Sequence, residues 1–75
     1  GDEGKTHRGL DFQVGHRYER HWNSEVGWCS FQILEKPYKW PIDGSIWALV
    51  CFDDNEEEQE MELDDRKHAY RALAR

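Results

Sequence analysis

Hydrophobic side chains alternate with polar ones over much of this chain, and a period of two residues is typical of half-buried β-strands. Leu10, Phe12 and Val14 alternate with polar residues near the start. Residues 28–34 repeat the alternation, and residues 46–52 form the most hydrophobic run, which suits a central strand covered on both sides. Strands are therefore predicted near residues 11–22, 28–35, 46–53 and 58–63.

The segments between these runs have the compositions of turns and loops, which predicts how the strands are connected. Residues 23–27 have the composition of a turn. Residues 35–45 contain both prolines and Gly44, which predicts a loop. Met61 and Leu63 alternate with acidic residues, so the last predicted strand is polar and suits the edge of a sheet, where charged side chains discourage pairing with other chains.

The last part of the chain predicts a different kind of element. Asp64 or Asp65 can cap a helix, and the following residues are rich in helix formers with cations toward the C-terminus. Tyr70 and Leu73 would share one helical face. The sequence therefore predicts an all-β fold, a small SH3-like barrel of four to five antiparallel strands, with a C-terminal α-helix over residues 64–75 packed on it.

Length and composition predict one domain with a short leader. The chain has 75 residues, so its core is small and its ten aromatic residues must supply much of the burial. Residues 1–9 are polar with three glycines, which predicts a flexible leader to a fragment of a larger protein. Residues 10–63 are predicted to form the barrel. No run approaches the roughly 20 apolar residues of a membrane span, so a membrane partner is not expected.

Charge is concentrated in one part of the chain. The formal net charge is −6, and nine of the thirteen positions from Asp53 to Asp65 are Asp or Glu. Such a surface repels a phosphate backbone, so direct binding of nucleic acid is not expected, whereas a basic peptide would be attracted. The alternative is that the acidic run is only a solvated strand face and loop.

The sequence offers little for catalysis or metal binding. The four histidines are scattered, without paired spacings of the kind found in zinc sites. Cys29 and Cys51 lie inside apolar runs, where a free cysteine behaves as a small hydrophobe, and two cysteines are too few for a disulfide framework. These features favour a reducing, intracellular setting. We expect no enzymatic activity, cofactor or metal.

An aromatic ring beside a carboxylate is the arrangement that holds a cationic side chain. Trp22 precedes a turn, and Phe52 ends the most hydrophobic run, two residues before Asp54. Each has a plainer interpretation: both rings can belong to the core, and Asp54 can bond to its own turn. The residues considered for peptide binding are Trp22, Phe52, Asp54, Trp28, Tyr38, Trp40 and Glu56. Of these, Trp28 is expected in the core and Trp40 is expected to be the most exposed ring.

Three segments together resemble the Tudor family of SH3-like barrels. Residues 12–15 (Phe-Gln-Val-Gly) are similar to its hydrophobic-x-Val-Gly start. Residues 22–33 (Trp-Asn-Ser-Glu-Val-Gly-Trp-Cys-Ser-Phe-Gln-Ile) resemble its tryptophan, short polar turn and apolar strand. Residues 50–54 (Val-Cys-Phe-Asp-Asp) resemble its hydrophobic-x-aromatic-Asp-Asp strand end. The resemblance covers about residues 12–65.

The resemblance implies a module that binds methylated lysine or arginine in an aromatic cage. Trp22 and Phe52 match cage positions, and Asp54 matches an acid that some lysine-binding members place beside the cage. Cys29 stands where many members have a cage tyrosine, and Asn55 stands where another aromatic often follows. Only half of the cage is therefore matched, although Tyr18, Trp28, Tyr38 or Trp40 would be available as a further wall.

Two functions follow as expectations. The first is a chromatin-associated, nuclear module that binds a methylated basic peptide, with a histone methyl-lysine as the leading ligand. The second is a methyl-independent protein interaction module of a larger nuclear protein, which docks a partner through the Trp40 loop, the acidic edge or the helix. The incomplete cage favours the second function, and the matched residues favour the first.

Overall fold

The computed structural model describes residues 10–63, 65 and 67–73, and the predicted leader lies outside this part. The described residues form six β-strands and contain no helix, so none is long and apolar enough to cross a membrane. The all-β prediction is confirmed. The strands are β1 (Arg17–His21), β2 (Trp28–Ile33), β3 (Tyr38–Lys39), β4 (Ile46–Phe52), β5 (Glu58–Leu63) and β6 (Tyr70–Ala72).

Strand β4 is the centre of one antiparallel sheet. Its residues 46–51 pair with β5 on one edge, from Ile46 opposite Leu63 to Cys51 opposite Glu58. Its other edge is shared, because β3 pairs with its first two residues and β2 pairs with its last three. Beyond β2 lie β1 and then β6. The sheet is open, since no pairing joins β6 to β5 among the described strands.

Alternation along the strands separates an inner face, which packs into the core, from an outer face. In β4 the side chains of Ala48, Val50 and Phe52 are buried, whereas Trp47 is only partly covered. The hydrophobic effect stabilises this core, at roughly 25 cal/mol per Å² of apolar area buried. The buried hydrophobic residues are Phe12, Tyr18, Phe31, Ile33, Ala48, Val50, Phe52, Met61, Leu63 and Tyr70.

The first strand begins later than predicted. Residues 11–16 do not form a strand of the sheet; Phe12 is buried, but Val14 is exposed. The segment is instead held through Tyr18, whose hydroxyl donates to the Asp11 carbonyl (3.0 Å) and accepts from the Gln13 amide (2.8 Å). One aromatic hydroxyl here supplies bonds that a strand ladder would otherwise provide.

The prediction of a C-terminal helix over residues 64–75 is wrong for the part that the structure describes, residues 65 and 67–73, which contains no helix. Asp65 does accept from the amides of Lys67 and His68, as a helix cap would, but only a single turn follows. Tyr70–Ala72 then forms β6 along the free edge of β1, and Tyr70 enters the core. A helix of about ten residues is marginal without tertiary support, so pairing and ring burial override the local propensity.

The loop predicted over residues 35–45 contains the two-residue strand β3. A tight turn follows it, in which the Trp40 amide donates to Ser45 (2.7 Å) and the Gly44 amide donates to Trp40 (2.8 Å). Gly44 has a φ of 75°, a conformation that glycine adopts without steric cost. This turn places Trp40 beside the outer face of the sheet.

Replacing Tyr70 tests the packing of β6. We expect Tyr70→Ala to lower the free energy of unfolding by about 3–5 kcal/mol, the usual cost of truncating a buried aromatic side chain. Tyr70→Phe removes only the hydroxyl that donates to the Glu62 carbonyl and should cost about 1 kcal/mol. Urea unfolding measures both. Equal, small effects would mean that β6 contributes little to the core.

Candidate functional site

Three of the predicted residues meet at one end of the sheet. Trp22 follows β1, Phe52 ends β4 and Asp54 lies in the next turn, and all three line an open cleft of about 350 Å³. We call it the Trp22 cleft. Its other lining residues are Val26, Cys29, Asn55 and Gln59.

The turn between β1 and β2 positions Trp22. The Asn23 side chain accepts from the amides of Glu25 (2.9 Å) and Val26 (2.8 Å), and the Trp22 amide donates to the Gly27 carbonyl (3.0 Å). Gly27 has a φ of 76°, which closes the turn with little strain because glycine lacks a Cβ. Trp22 therefore leaves β1 on the same face as Arg20, two residues earlier.

Two neighbouring carboxylates in the turn after β4, those of Asp53 and Asp54, have different environments. Asp53 forms an ion pair with Arg17 and accepts from the Ser30 hydroxyl. Asp54 receives no hydrogen bond and no ion pair from any described residue, although it lines the cleft. Glu56 adopts a φ of 55° and donates its amide to the Phe52 carbonyl (2.9 Å), which closes the turn.

Side chains of the protein itself already cover part of the Trp22 ring. The Arg20 guanidinium carbon lies 4.2 Å from the indole centroid, a cation–π contact over one face. The rings of Phe52 and His68 lie 6.2 Å and 5.6 Å away, respectively. Trp22 nevertheless remains 39% exposed, so a ligand can approach the indole surface that Arg20 leaves uncovered.

A buried ionic cluster holds Arg20 in this position. Arg20 is 9% exposed, bonds to Asp65 at 3.1 Å and lies 3.0 Å from Nδ1 of His68. Burial alone would raise the pKa of Asp65, but the hydrogen bond from His68 and the Arg20 charge outweigh it and lower that pKa. The carboxylate therefore stays charged and compensates the guanidinium beneath Trp22.

Phe52 and Cys29 line the Trp22 cleft, but neither adds a second exposed aromatic wall to it. Phe52 is only 7% exposed and packs 5.5 Å from the Phe31 ring, so it forms a floor and not a second open wall. Burial, together with the nearby Asp54 carboxylate, raises the pKa of the Cys29 thiol, so this side chain lines the cleft as a neutral group. One ring, Trp22, thus presents most of the aromatic surface.

The other predicted residues lie elsewhere. The expectation that Trp28 lies in the core is wrong: it is on the outer face, with the Arg71 guanidinium carbon 3.9 Å from its ring and the His21 ring at 5.2 Å. Glu56 is exposed in its turn and does not line the cleft. Tyr38 and Trp40 line a second cleft of about 400 Å³, together with Asp43, Trp47 and Glu60.

Several lining residues of both clefts are not among the residues predicted from the sequence. Val26 and Gln59 carry no distinctive chemistry, and no sequence signal would have singled them out. Trp47 and Glu60 could have been assigned to the outer face, since each alternates with a core residue. Their proximity to Tyr38 depends on the pairing of β3 with β4, which no local pattern predicts.

The chain matches no family model, no curated protein sequence and no solved structure. The Tudor resemblance and the residue roles that it implies therefore stay predictions. Within the described ranges, no group of three or more His, Cys, Asp or Glu side chains is arranged to hold a metal ion.

The ionic cluster makes a prediction about pH. A carboxyl whose pKa is depressed on folding stabilises the protein above its ordinary pKa of about 3.9, and this contribution is lost as the pH falls through the lower folded value. Wild type should therefore be more stable than Asp65→Asn near neutral pH, and the difference should shrink as acid protonates Asp65. Urea unfolding of both proteins from about pH 6 to about pH 2.5 measures this difference. A difference independent of pH would contradict the coupling to Arg20.

Proposed function

We propose that this chain is a non-catalytic module that binds a methylated lysine of a basic peptide in the Trp22 cleft. The observation that carries the proposal is that a partly exposed indole and Asp54, a carboxylate without a partner among the described residues, line the same cleft. The Tudor resemblance extends the proposal to a histone tail as the peptide, and to a chromatin-associated, nuclear parent protein.

The chemistry of methylated lysine suits this cleft. Methylation keeps the positive charge but replaces N–H donors by apolar methyl groups, which an aromatic face accommodates. A mono- or dimethylated amine retains an N–H, which Asp54 can accept in a charge-assisted hydrogen bond. Asp54 beside Trp22 therefore favours these lower methylation states over the trimethylated form.

Acidic residues next to the cleft supply a second source of attraction. Glu56 and Glu58 are exposed and form no ion pair with any described residue. By contrast, Asp53 and Asp65 at the two ends of the acidic run are neutralised by arginines. Glu56 belongs to the turn that follows Asp54, and Glu58 begins the next strand, so their uncompensated charge would attract basic residues that flank the bound lysine.

The barrel architecture is part of the same proposal. Six antiparallel strands with tight turns are compatible with an SH3-like barrel. The sheet also curls far enough for the Tyr70 hydroxyl of β6 to donate to the Glu62 carbonyl of β5 at 3.2 Å. This bond links the two ends of the sheet, as closure into a Tudor-like barrel would require.

One observation favours a methyl-independent interaction module as the second candidate. The cage has a single well-exposed ring, and Arg20 already occupies one face of it. A nearby guanidinium reduces the attraction that the indole offers to a second cation. In this alternative, the chain would bind a partner protein through other exposed surfaces, such as the Trp40 loop or the acidic edge.

A titration with matched peptides separates the two functions. The probe is a lysine-rich peptide without arginine, in unmethylated, dimethylated and trimethylated versions. We expect the dimethylated peptide to bind most tightly, and Trp22→Ala to weaken it roughly 3- to 30-fold, because one well-placed ring contributes about 0.5–2 kcal/mol. Val14→Ala, an exposed change outside the cleft, is the control. Equal affinity for all three peptides would support the methyl-independent module instead.

Asp54→Asn tests the role of the carboxylate. The amide keeps the shape of the side chain but loses the charge, so the variant should lose more affinity for the dimethylated peptide than for the trimethylated one. Isothermal titration calorimetry measures both affinities. The same loss for both peptides would mean that Asp54 acts only through its charge and not as an acceptor of the retained N–H.

Salt dependence tests the contribution of the exposed acids. Because exposed charges are screened beyond about 8 Å at physiological ionic strength, affinity for the lysine-rich peptide should fall as salt is raised. A double variant, Glu56→Gln with Glu58→Gln, should show a shallower dependence. An affinity that salt does not change would mean that contact is mainly apolar and that the acidic run is only a solvated face.

A further inference from the structure

A second cleft lies on the outer face of the sheet, and we call it the outer cleft. Its lining consists of Tyr38, Trp40, Asp43, Trp47 and Glu60. Trp47 and Glu60 each neighbour a core residue in their strands, so their side chains point away from the core. The Trp22 cleft instead contains Gln59, the neighbour of Glu60 in β5. The two clefts are therefore separate sites on opposite sides of that strand.

Two of the three rings in the outer cleft are held in place. Tyr38 pairs with Trp47 on one edge of β4, and its hydroxyl reaches Glu60, on the strand beyond the other edge, at 3.1 Å. The Trp47 indole N–H donates to the Ser45 hydroxyl at 2.8 Å. Trp40 is 45% exposed at the rim. The cleft therefore combines two fixed aromatic surfaces with one accessible indole.

Two carboxylates add charge to these rings. Asp43 accepts from the Ser45 hydroxyl (2.6 Å) and the Ser45 amide (3.0 Å), and these bonds lower the pKa of Asp43. Glu60 accepts from Tyr38, which leaves further lone pairs available. Neither carboxylate forms an ion pair with a described residue. The cleft thus holds two negative charges that no cation within the described chain balances.

The protein itself shows which cation such a combination accepts. Arg71 lies over Trp28, with its guanidinium carbon 3.9 Å from the ring, and donates from Nε to Glu19. Arg20 lies over Trp22 in the same way and bonds to Asp65. In both cases a guanidinium lies over an indole while a carboxylate accepts from one of its nitrogens. The outer cleft presents indoles and carboxylates without a guanidinium.

We propose that the outer cleft binds an unmodified arginine side chain of a partner protein. A guanidinium is planar, so it can stack on the Trp40 indole, and its five N–H donors can reach both Asp43 and Glu60. A lysine ammonium has no plane to stack, and a trimethylated ammonium has no donor for either carboxylate. Aromatic surface combined with two acceptors therefore selects arginine among the basic side chains.

NMR titration tests this proposal with capped glycine peptides that carry one central arginine, citrulline, lysine or trimethyllysine. The indole N–H signals of the four tryptophans report which cleft is occupied. We expect the arginine peptide to shift the Trp40 and Trp47 signals, and Trp40→Ala to weaken it roughly 3- to 30-fold. Citrulline, which is planar but neutral, should bind more weakly than arginine. Ile42→Ala is the matched control, because this side chain is 82% exposed in the same loop and does not line the cleft.

A charge variant provides a second, independent readout. Asp43→Asn combined with Glu60→Gln retains the oxygen acceptors that hold Ser45 and Tyr38 but removes both charges, so the arginine peptide should bind more weakly while the fold is kept. Unchanged affinity in this variant or in Trp40→Ala would overturn the proposal. A lysine or trimethyllysine peptide that binds as tightly as arginine would overturn it as well, as would shifts confined to the Trp22 indole.

Discussion

The buried guanidinium of Arg20 links the fold of this chain to its candidate site. An arginine that is only 9% exposed must be compensated, and Asp65 does so from the segment before β6. The next strand then pairs with β1, with Tyr70 directly opposite Arg20. The same guanidinium lies against the Trp22 ring. The Arg20–Asp65 contact therefore contributes both to the docking of the C-terminal segment and to the placement of the exposed indole.

The acidic run has two physical roles that its composition does not distinguish. Asp53 and Asp65, at its ends, are paired with Arg17 and Arg20 and stabilise the folded chain. Asp54, one residue after Asp53, faces a cleft with no described partner. Adjacent turn residues point in different directions, so neighbouring carboxylates can have entirely different environments. The charges left unpaired in this way are the ones available to a cationic ligand.

Local pattern was sufficient for much of the fold. The local pattern placed β2 and β5 by their alternation and β4 by its hydrophobic run, all within a residue or two. It failed at the C-terminus, where helix-forming residues become β6 because the free edge of β1 offers backbone partners and the core accepts Tyr70. The formation of β6 depends on contacts between residues about fifty positions apart in sequence, such as Arg20 and Tyr70. Local propensity carries no information about such contacts.

The candidate site was predictable to a similar extent. Trp22, Phe52 and Asp54 were predicted to form one site from the Tudor resemblance and from the placement of an acid beside aromatic residues at a strand end, and the structure brings them to one cleft. The sequence left open whether Phe52 lies in the core or lines the site, and it could not show that Arg20 covers part of Trp22, since that depends on packing across strands. The outer cleft was equally hidden, because it is created by a two-residue strand inside a proline-containing loop.

The central claim is that a methylated lysine occupies the Trp22 cleft, and intermolecular nuclear Overhauser effects test it most directly. The measurement uses isotopically labelled protein with an unlabelled, dimethyllysine-containing peptide that lacks arginine. We expect contacts from the N-methyl protons to the Trp22 indole protons, with weaker contacts to Phe52. Contacts to Tyr38 or Trp40 instead, or no contact from the methyl protons to any ring, would contradict it.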